Sequence, residues 1–208
     1  MPSFPGEVSP LTERIAWAIT PSLIRGLGRI AWRLRVEAEG DLPDPPFVVA
    51  GNHHSFLDPF LVGGILDRKL RFLALDGLFG NYSLVDRVLD VFDVIPVKRG
   101  TVPLGPIRTA LGHLSDGGVV GLFPEGTRHW EFDPRRARPG AAWLAIRAGV
   151  PLVPVALVGT DRVLGIDNRL RAGRVRVTMG PALRGWGADR DAVDDLTRRW
   201  GVWIASRL

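Results

Sequence analysis

His53 and Asp58 are the pair of residues in this sequence whose types and spacing best suit proton transfer. A neighbouring carboxylate fixes the tautomer of a histidine and stabilises the imidazolium that forms when the other ring nitrogen accepts a proton. On one continuous helix the two side chains would point about 140° apart, so they meet only if the chain turns sharply between a strand end and a helix start. The competing interpretation is that His53 and His54 lie in a solvated loop and Asp58 caps the following helix.

Two further groups of polar residues follow apolar runs that we predict to be strands. The first group is Lys98 and Arg99, and the second is Glu125, Gly126, Thr127 and Arg128. A glycine lets the backbone approach a ligand closely, and backbone N–H groups together with an arginine can hold an anion. Ligands bind at the carboxyl ends of strands in open α/β sheets, so we expect both groups at a binding edge. The nearby basic segment Arg135–Arg138 is more typical of a solvated loop.

Short β-rich runs alternate with helical stretches, and these elements must position the polar groups. Seven runs are predicted as strands: Leu34–Ala38, Phe47–Ala50, Phe72–Leu75, Val94–Val97, Val119–Phe123, Leu152–Val158 and Val175–Met179. Helices are predicted at Pro59–Leu66, Ile107–Leu114, Ala141–Ala148 and Val193–Trp203. This alternation predicts a single α/β domain with a mostly parallel mixed central sheet flanked by helices.

The N-terminal segment has the pattern of two short amphipathic helices. Ser9-Pro10 and Thr20-Pro21 each place a capping hydroxyl before a proline, which is typical of a helix start. The second helix has a row of aliphatic residues at helical spacing, and a row of arginines lies next to it on the helix surface. The aliphatic row is Leu23, Leu27, Ile30 and Leu34, and the arginines are Arg25, Arg29 and Arg33. Trp17 and Trp32 lie nearby in the sequence. Either this pair docks in a membrane interface, or it packs on the core with its arginines solvated. The first of these alternatives divides the chain into amphipathic membrane-docking helices at residues 1–35 and a catalytic domain at residues 36–208.

The composition of the 208 residues excludes several classes of protein. With no cysteine, the chain has no disulfide scaffold, no Cys-ligated metal site and no cysteine nucleophile. The net charge is +5, and only two of the 27 basic residues, Lys69 and Lys98, are lysines. No apolar stretch is long enough to span a bilayer, and the first residues lack a signal-peptide pattern. We therefore expect a cytoplasmic protein with an anionic partner.

Four blocks of this sequence, taken together, resemble the glycerolipid acyltransferases that include lysophosphatidic acid acyltransferase. The blocks are Asn52–Pro59, which contains His-x4-Asp, Ile95–Gly100, Phe123–Arg128 and Val150–Val155. The resemblance implies transfer of a fatty acyl group from acyl-CoA or acyl-carrier protein to a hydroxyl of a lysophospholipid, with 1-acyl-glycerol-3-phosphate as the expected acceptor. Another lysolipid, a glycolipid or a polyol would use the same His/Asp chemistry and is the alternative acceptor.

The resemblance also implies roles for individual residues. His53 would be the general base and Asp58 would orient it, without a bound cofactor or metal ion. The acceptor's phosphate and glycerol would be held by Lys98, Arg99, Glu125, Gly126, Thr127 and Arg128. Ser55 is a less favoured nucleophile, because no Gly-x-Ser-x-Gly elbow surrounds it. The partner would be an anionic membrane surface, at the inner face of the cell membrane.

Three other classes of function are weighed against this one. A nucleic-acid-binding protein would account for the positive charge, but the arginines are spread along the chain and no recognition motif is present, so we expect no nucleic-acid partner. A lipid-binding relative without catalysis would have no physical need for both His53 and Asp58. A thioester hydrolase would share the general base and differs only in using water as the acceptor.

Overall fold

The computed structural model describes residues 10–66, 70–75, 94–97 and 104–208. Within these ranges the chain forms one seven-stranded sheet in the order β1-β7-β6-β2-β5-β3-β4. The strands are β1 (Arg35–Ala38), β2 (Phe47–Gly51), β3 (Leu70–Leu75), β4 (Ile95–Val97), β5 (Val119–Leu122), β6 (Leu152–Val158) and β7 (Arg176–Met179). Each of them overlaps a run predicted from the sequence.

The sheet is mostly parallel and mixed, as the sequence predicts. In the centre, β2 runs parallel to both β5 and β6. These central strands are nearly continuous apolar runs, which suits strands covered by helices on both faces. Among the described strand pairs, only β6 and β7 are antiparallel, with Val158 opposite Arg176. Strand β1 then pairs parallel to β7, so it also runs against the central strands.

Six helices and one 3₁₀ turn flank the described sheet. They are α1 (Pro10–Trp32), α2 (Asp58–Leu66), α3 (Leu104–Ser115), α4 (Gly140–Ala148), α5 (Thr160–Val163), α6 (Arg190–Ala205) and the 3₁₀ turn Pro134–Arg136. Successive side chains of a strand point to opposite faces, so Phe47 and Val49 pack towards α1 and α2, whereas Val48 and Ala50 pack towards α3, α4 and α6. The two hydrophobic cores therefore share the same strands.

The N-terminal segment is one helix, and the prediction of two short helices was wrong. Helix α1 continues through Pro21, which lies inside it. Proline lacks the N–H of one backbone hydrogen bond, but its fixed φ matches the helical value, so a helix can continue when packing offsets the cost of about 3 kcal/mol. Pro21 is buried, and on the same face Ile24 packs against Gly64 of α2, where a Cβ would lie 2.6 Å from its Cγ2.

The opposite face of α1 exposes an apolar stripe. We call Ile19, Leu23, Leu27 and Ile30 the outer stripe; all four side chains are largely exposed. Leu34, predicted to belong to this row, is instead buried: the helix ends at Trp32, Arg33 has a positive φ of 45°, and Leu34 folds back onto Gly28. Within the described ranges, no helix has both the length and the apolarity to cross a bilayer. The domain boundary between residues 35 and 36 stays a prediction.

The last helix is fastened to the centre of the sheet by Trp200. Its side chain is buried, and its indole Nε1–H donates a 2.9 Å hydrogen bond to the carbonyl oxygen of Ala50, near the end of β2. The next residues along the chain are Gly51 and Asn52, which lead into the loop between β2 and α2 that contains His53; we call this loop the His53 segment. Helix α6 therefore supports the strand end from which that segment begins.

We expect Trp200→Phe to lower the free energy of unfolding by about 1–3 kcal/mol, because the buried Ala50 carbonyl loses its indole partner while most of the ring volume remains. Urea unfolding followed by circular dichroism measures the change. Trp203→Phe is the matched control: the Nε1–H of Trp203 donates to Glu39 in an exposed position, so its loss should cost about 0.5 kcal/mol or less. Equal losses in the two variants would contradict the anchoring role of Trp200.

Candidate active site

The candidate site lies at the edge of the sheet where the parallel strands β2, β5 and β6 end, which we call the carboxyl edge. Asn52, the first residue after β2, is fully buried and joins two of these strand ends. Its side-chain amide donates to the carbonyl oxygen of Leu157 at 2.9 Å and accepts from the Leu157 N–H at 2.8 Å. The chain leaves β2 already fixed against β6. This role of Asn52 was not predicted from the sequence.

His53 and Asp58 meet because the chain folds back onto the start of α2. The Nδ1 atom of His53 lies 2.9 Å from Oδ2 of Asp58. The same oxygen accepts the backbone N–H groups of His54 and Ser55, each at 2.7 Å. A carboxylate accepts hydrogen bonds, so Nδ1 carries the proton and Nε2 keeps its lone pair for a substrate. Asp58 thus shapes the loop and orients the imidazole at once.

Packing fixes the plane of the His53 ring. The imidazole stacks on the ring of Phe123, with centroids 4.3 Å apart and planes 18° from parallel. The side chain of His53 is 16% exposed, whereas that of Asp58 is fully buried. The histidine is therefore held on two sides and still reaches the surface. This is the arrangement required of a group that exchanges a proton with a bound substrate.

Glu125 is directed at the main chain of His53. Its Oε1 accepts the backbone N–H of His53 at 2.7 Å, and its Oε2 is buried without a hydrogen-bond partner among the described residues. Burial raises the pKa of Glu125 to about 7, although the His53 N–H acts in the opposite direction. The resemblance implied a residue that holds the acceptor. In the structure this carboxyl contacts the His53 segment, 72 residues away in sequence.

Glu125 should make folding stability depend on pH near neutrality. Its folded-state pKa is above the value of 4.5 for a free side chain. The folded protein therefore binds the proton more tightly, and this stabilisation is complete below about pH 4.5 and is lost as the pH rises through about 7.

We expect the wild-type protein to lose about 1–3 kcal/mol more stability than Glu125→Gln between about pH 5 and about pH 8.5. The glutamine still offers an oxygen to the His53 N–H but cannot ionise. Urea unfolding of both proteins at the two pH values measures the difference. Parallel pH profiles would contradict an ionisable buried carboxyl at this position.

Arg128 presents a cation at the same edge. Its guanidinium carbon lies 3.4 Å from the centroid of the Phe56 ring, and its Nη1–H donates to Oδ1 of Asn168 at 3.2 Å. It forms no ion pair with a described carboxylate. Partial burial lowers the pKa of Arg128, but an arginine remains charged at neutral pH. Its positive charge is therefore available to a bound anion. The contact of Asn168 was likewise not predicted, because no local sequence pattern marks this residue.

The turn before Arg128 brings the backbone close to another arginine. Gly126 has a φ of +72°, and a Cβ at this position would lie 3.2 Å from the guanidinium carbon of Arg138. Glycine is needed here because the left-handed backbone and the close neighbour both disfavour a side chain. Thr127, the next residue, is exposed. Arg138 thus belongs to the surroundings of the third block, although the sequence favoured a solvated loop.

Ser55 and His54 have structural contacts. The hydroxyl of Ser55 donates to the Leu164 carbonyl oxygen at 2.6 Å and accepts the N–H of Leu57 at 3.0 Å, and the residue is fully buried. The His54 Nδ1 lies 2.6 Å from the carbonyl oxygen of His129, whose own N–H donates to the His53 carbonyl. Burial and the nearby positive charge of Arg136 lower the pKa of His129. Because the Ser55 hydroxyl is buried and already makes two hydrogen bonds, the geometry speaks against Ser55 as a nucleophile.

The predicted site residues His53, Asp58, Glu125, Gly126, Thr127 and Arg128 all lie at the carboxyl edge. Lys98 and Arg99 lie outside the described residues, although β4, the strand before them, ends at the same edge. In the described part of the chain, no three His, Asp or Glu side chains are grouped closely enough to hold a metal ion.

Comparison with known proteins identifies relatives of this chain. Residues 33–158 match the family model described as Acyltransferase. A 1-acyl-sn-glycerol-3-phosphate acyltransferase of Bacillus subtilis is 34% identical over 152 residues, which are 72% of this chain and 73% of that protein. A chloroplastic enzyme of the same name from Arabidopsis thaliana is 29% identical over 164 residues, which are 76% of this chain and 46% of that protein.

The chain spans less than half the length of the chloroplastic relatives from Arabidopsis thaliana and Brassica napus. Its fold is similar to the crystal structure of the 1-acyl-sn-glycerophosphate acyltransferase PlsC from Thermotoga maritima, with a TM-score of 0.69 and 20% identity, covering 94% of this chain and 82% of that one. The family model covers more than half of the residues, and most of the Bacillus protein is matched. This chain therefore belongs to the Acyltransferase family.

Proposed function

We propose that the protein is an O-acyltransferase that moves a fatty acyl group from a thioester to the free hydroxyl of 1-acyl-glycerol-3-phosphate, giving phosphatidic acid. The observation that carries this proposal is the 2.9 Å contact between His53 Nδ1 and Asp58 Oδ2, which leaves Nε2 as a base. The named function of the Bacillus and plant relatives supports the choice of acceptor.

The reaction would take place in one direct transfer. The Nε2 atom of His53 removes the proton of the acceptor hydroxyl as its oxygen attacks the thioester carbonyl carbon. The new C–O ester bond forms, the C–S bond breaks, and the imidazolium returns its proton to the departing thiolate. Asp58 stabilises the imidazolium through Nδ1–H. The absence of cysteine agrees with a route that forms no thioester on the enzyme.

The acceptor's phosphate would be bound by Arg128. Its guanidinium is already oriented by Phe56 and Asn168 and forms no ion pair with a described carboxylate, so it can form a bidentate contact with phosphate. By resemblance, Lys98 and Arg99 would add two more charges. The acyl donor would be acyl-CoA or acyl-carrier protein, used as a substrate with no cofactor bound.

The enzyme would act at the inner surface of the cell membrane as a peripheral protein. The outer stripe of α1 exposes four large aliphatic side chains, and Arg29 and Arg33 nearby are exposed cations. An amphipathic helix with this combination binds anionic lipid surfaces. A lysophospholipid acceptor is itself held in such a surface.

An assay of the purified chain with labelled acyl-CoA or acyl-carrier protein and a panel of lysolipids tests this proposal. We expect phosphatidic acid from lysophosphatidic acid, and little product from lysolipids without a phosphomonoester. Release of free fatty acid at the same rate with and without acceptor would instead identify a thioester hydrolase. Preferred acylation of a glycolipid or polyol would assign the same His53 chemistry to another acceptor.

A further inference from the structure

Two large apolar side chains stand out from loops at the carboxyl edge. Trp130 is 63% exposed and Leu170 is 67% exposed; we call them the loop patch. Isolated exposed apolar residues are common on soluble proteins, so exposure alone indicates nothing. These two differ because they come from separate loops, after β5 and after β6, that are joined to each other and to the candidate site.

The loop patch is built on a hydrogen-bonded frame. A Cβ at Gly165 would lie 3.5 Å from the indole of Trp130, so the ring extends over this glycine. Leu170 pairs with Leu164 in an isolated antiparallel bridge, and the Arg171 N–H donates to the Val163 carbonyl at 2.7 Å. The Trp130 ring therefore lies over the same short segment that carries Leu170.

The same segments connect the loop patch to the catalytic histidine. The residue before Trp130 is His129, whose N–H donates to the carbonyl of His53. The carbonyl of Leu164, the bridge partner of Leu170, accepts the hydroxyl of Ser55. A surface bound to the loop patch would thus lie next to the site where the hydroxyl is deprotonated.

The charge around the loop patch is positive. Residues 128–138 and 161–174 together contain eight arginines and four acidic residues. The carboxylates of Asp133 and Asp167 are paired with Arg135 and Arg171. Five arginines in these segments form no ion pair with a described carboxylate: Arg128, Arg138, Arg162, Arg169 and Arg174. Exposed tryptophan and leucine among arginines that have no described ion-pair partner is the composition of a membrane-interface surface.

The N-terminal helix reaches the same edge. Because β7 is antiparallel to β6, β7 starts where β6 ends, and its neighbour Val175 donates its N–H to the carbonyl of Trp32, the last residue of α1. Ile30, in the last turn of α1, is 84% exposed. The end of α1 and the loop patch therefore lie at the same edge of the sheet.

We propose that Trp130 and Leu170 form a second contact with an anionic phospholipid bilayer, so that the carboxyl edge faces the membrane. The inference rests on the proposed function, because it is a lipid acceptor that requires the site to face a bilayer. With α1 and the loop patch both bound, the lysophospholipid reaches His53 without leaving the membrane. The loop patch then governs access of bilayer-held acceptor and has no part in the proton transfer.

Vesicle flotation of the full chain tests the contact directly. With vesicles of phosphatidylcholine and phosphatidylglycerol, we expect the double variant Trp130→Ser/Leu170→Ser to bind at least about tenfold more weakly than wild type. The matched control is Trp186→Ser. Trp186 is 81% exposed but follows β7, which ends at the opposite edge of the sheet, so its loss should leave flotation unchanged. Unaltered unfolding midpoints in urea show that the variants are folded.

A second measurement separates membrane access from catalysis. The double variant should lose activity on lysophosphatidic acid held in vesicles at least about tenfold more than activity on a short-chain, water-soluble lysophosphatidic acid. Flotation equal to wild type, or an equal loss in Trp186→Ser, overturns the inference. Weaker binding of acyl-carrier protein with normal flotation also overturns it, because the loop patch would then bind an acidic protein. Flotation that depends on the loop patch in a chain without acyl transfer activity would overturn the proposed function alone.

Discussion

We expect His53→Ala to lower kcat for acyl transfer by about 10²–10⁴-fold, because it removes the imidazole that Asp58 orients to take the acceptor's proton. The fold should remain, since Asp58 still accepts the N–H groups of residue 54 and Ser55. Transfer from labelled acyl-CoA to lysophosphatidic acid gives the rate, and urea unfolding checks the stability. The KM for the acceptor should change little if the phosphate is held elsewhere.

His129→Ala is the matched control for this result. His129 lies in the same site, but its contacts with His53 and His54 are made by its backbone N–H and carbonyl. Removing its imidazole should therefore leave kcat within about threefold of wild type. Activity of His53→Ala equal to wild type would eliminate the general-base role. An equally large loss in His129→Ala would show that the assay responds to any disturbance of the site.

Substitutions of Asp58 should separate its two roles. Asp58→Ala leaves the buried N–H groups of His54 and Ser55 without an acceptor, and at about 1–3 kcal/mol for each, unfolding should become about 2–6 kcal/mol easier. Asp58→Asn keeps an oxygen for these amides but removes the negative charge beside His53, so kcat should fall by about 10²–10⁴-fold with a smaller loss of stability. Urea unfolding and the transfer assay measure the two effects. An Asp58→Asn protein with full activity would contradict the orienting role.

The strands could be predicted because their burial is recorded locally in the sequence. β2 and β6 are nearly uninterrupted apolar runs, which only strands covered on both faces require. The N-terminal helix was harder to predict as a single element. Pro21 is a strong local signal for a helix start, but tertiary packing against α2 overrides it, and that packing depends on Gly64, which lies 43 positions further along the chain.

The site could be predicted in its residues but not in its contacts. The loop after β2 contains both His53 and Asp58, so their pairing follows from a short local turn. The partners that position this loop come from far along the chain: Glu125 is 72 residues from His53, and Leu157 is 105 residues from Asn52. No periodicity or spacing in one sequence reveals such pairs. For the same reason the block around Glu125 indicated a binding turn and not a support for the histidine.

The one antiparallel pair in the described sheet has a consequence for the polarity of the whole molecule. Strand β7 runs antiparallel to β6, and β1 runs in the same direction as β7. The chain therefore enters β1 from the carboxyl edge, and α1 must end there. If β1 ran with the central strands, the chain would enter it from the far edge and α1 would end on the side away from His53. A single reversal of strand direction therefore determines that α1 ends at the same edge of the sheet as the His53 loop. The common position of the α1 end and the candidate active site thus depends on the direction of one strand.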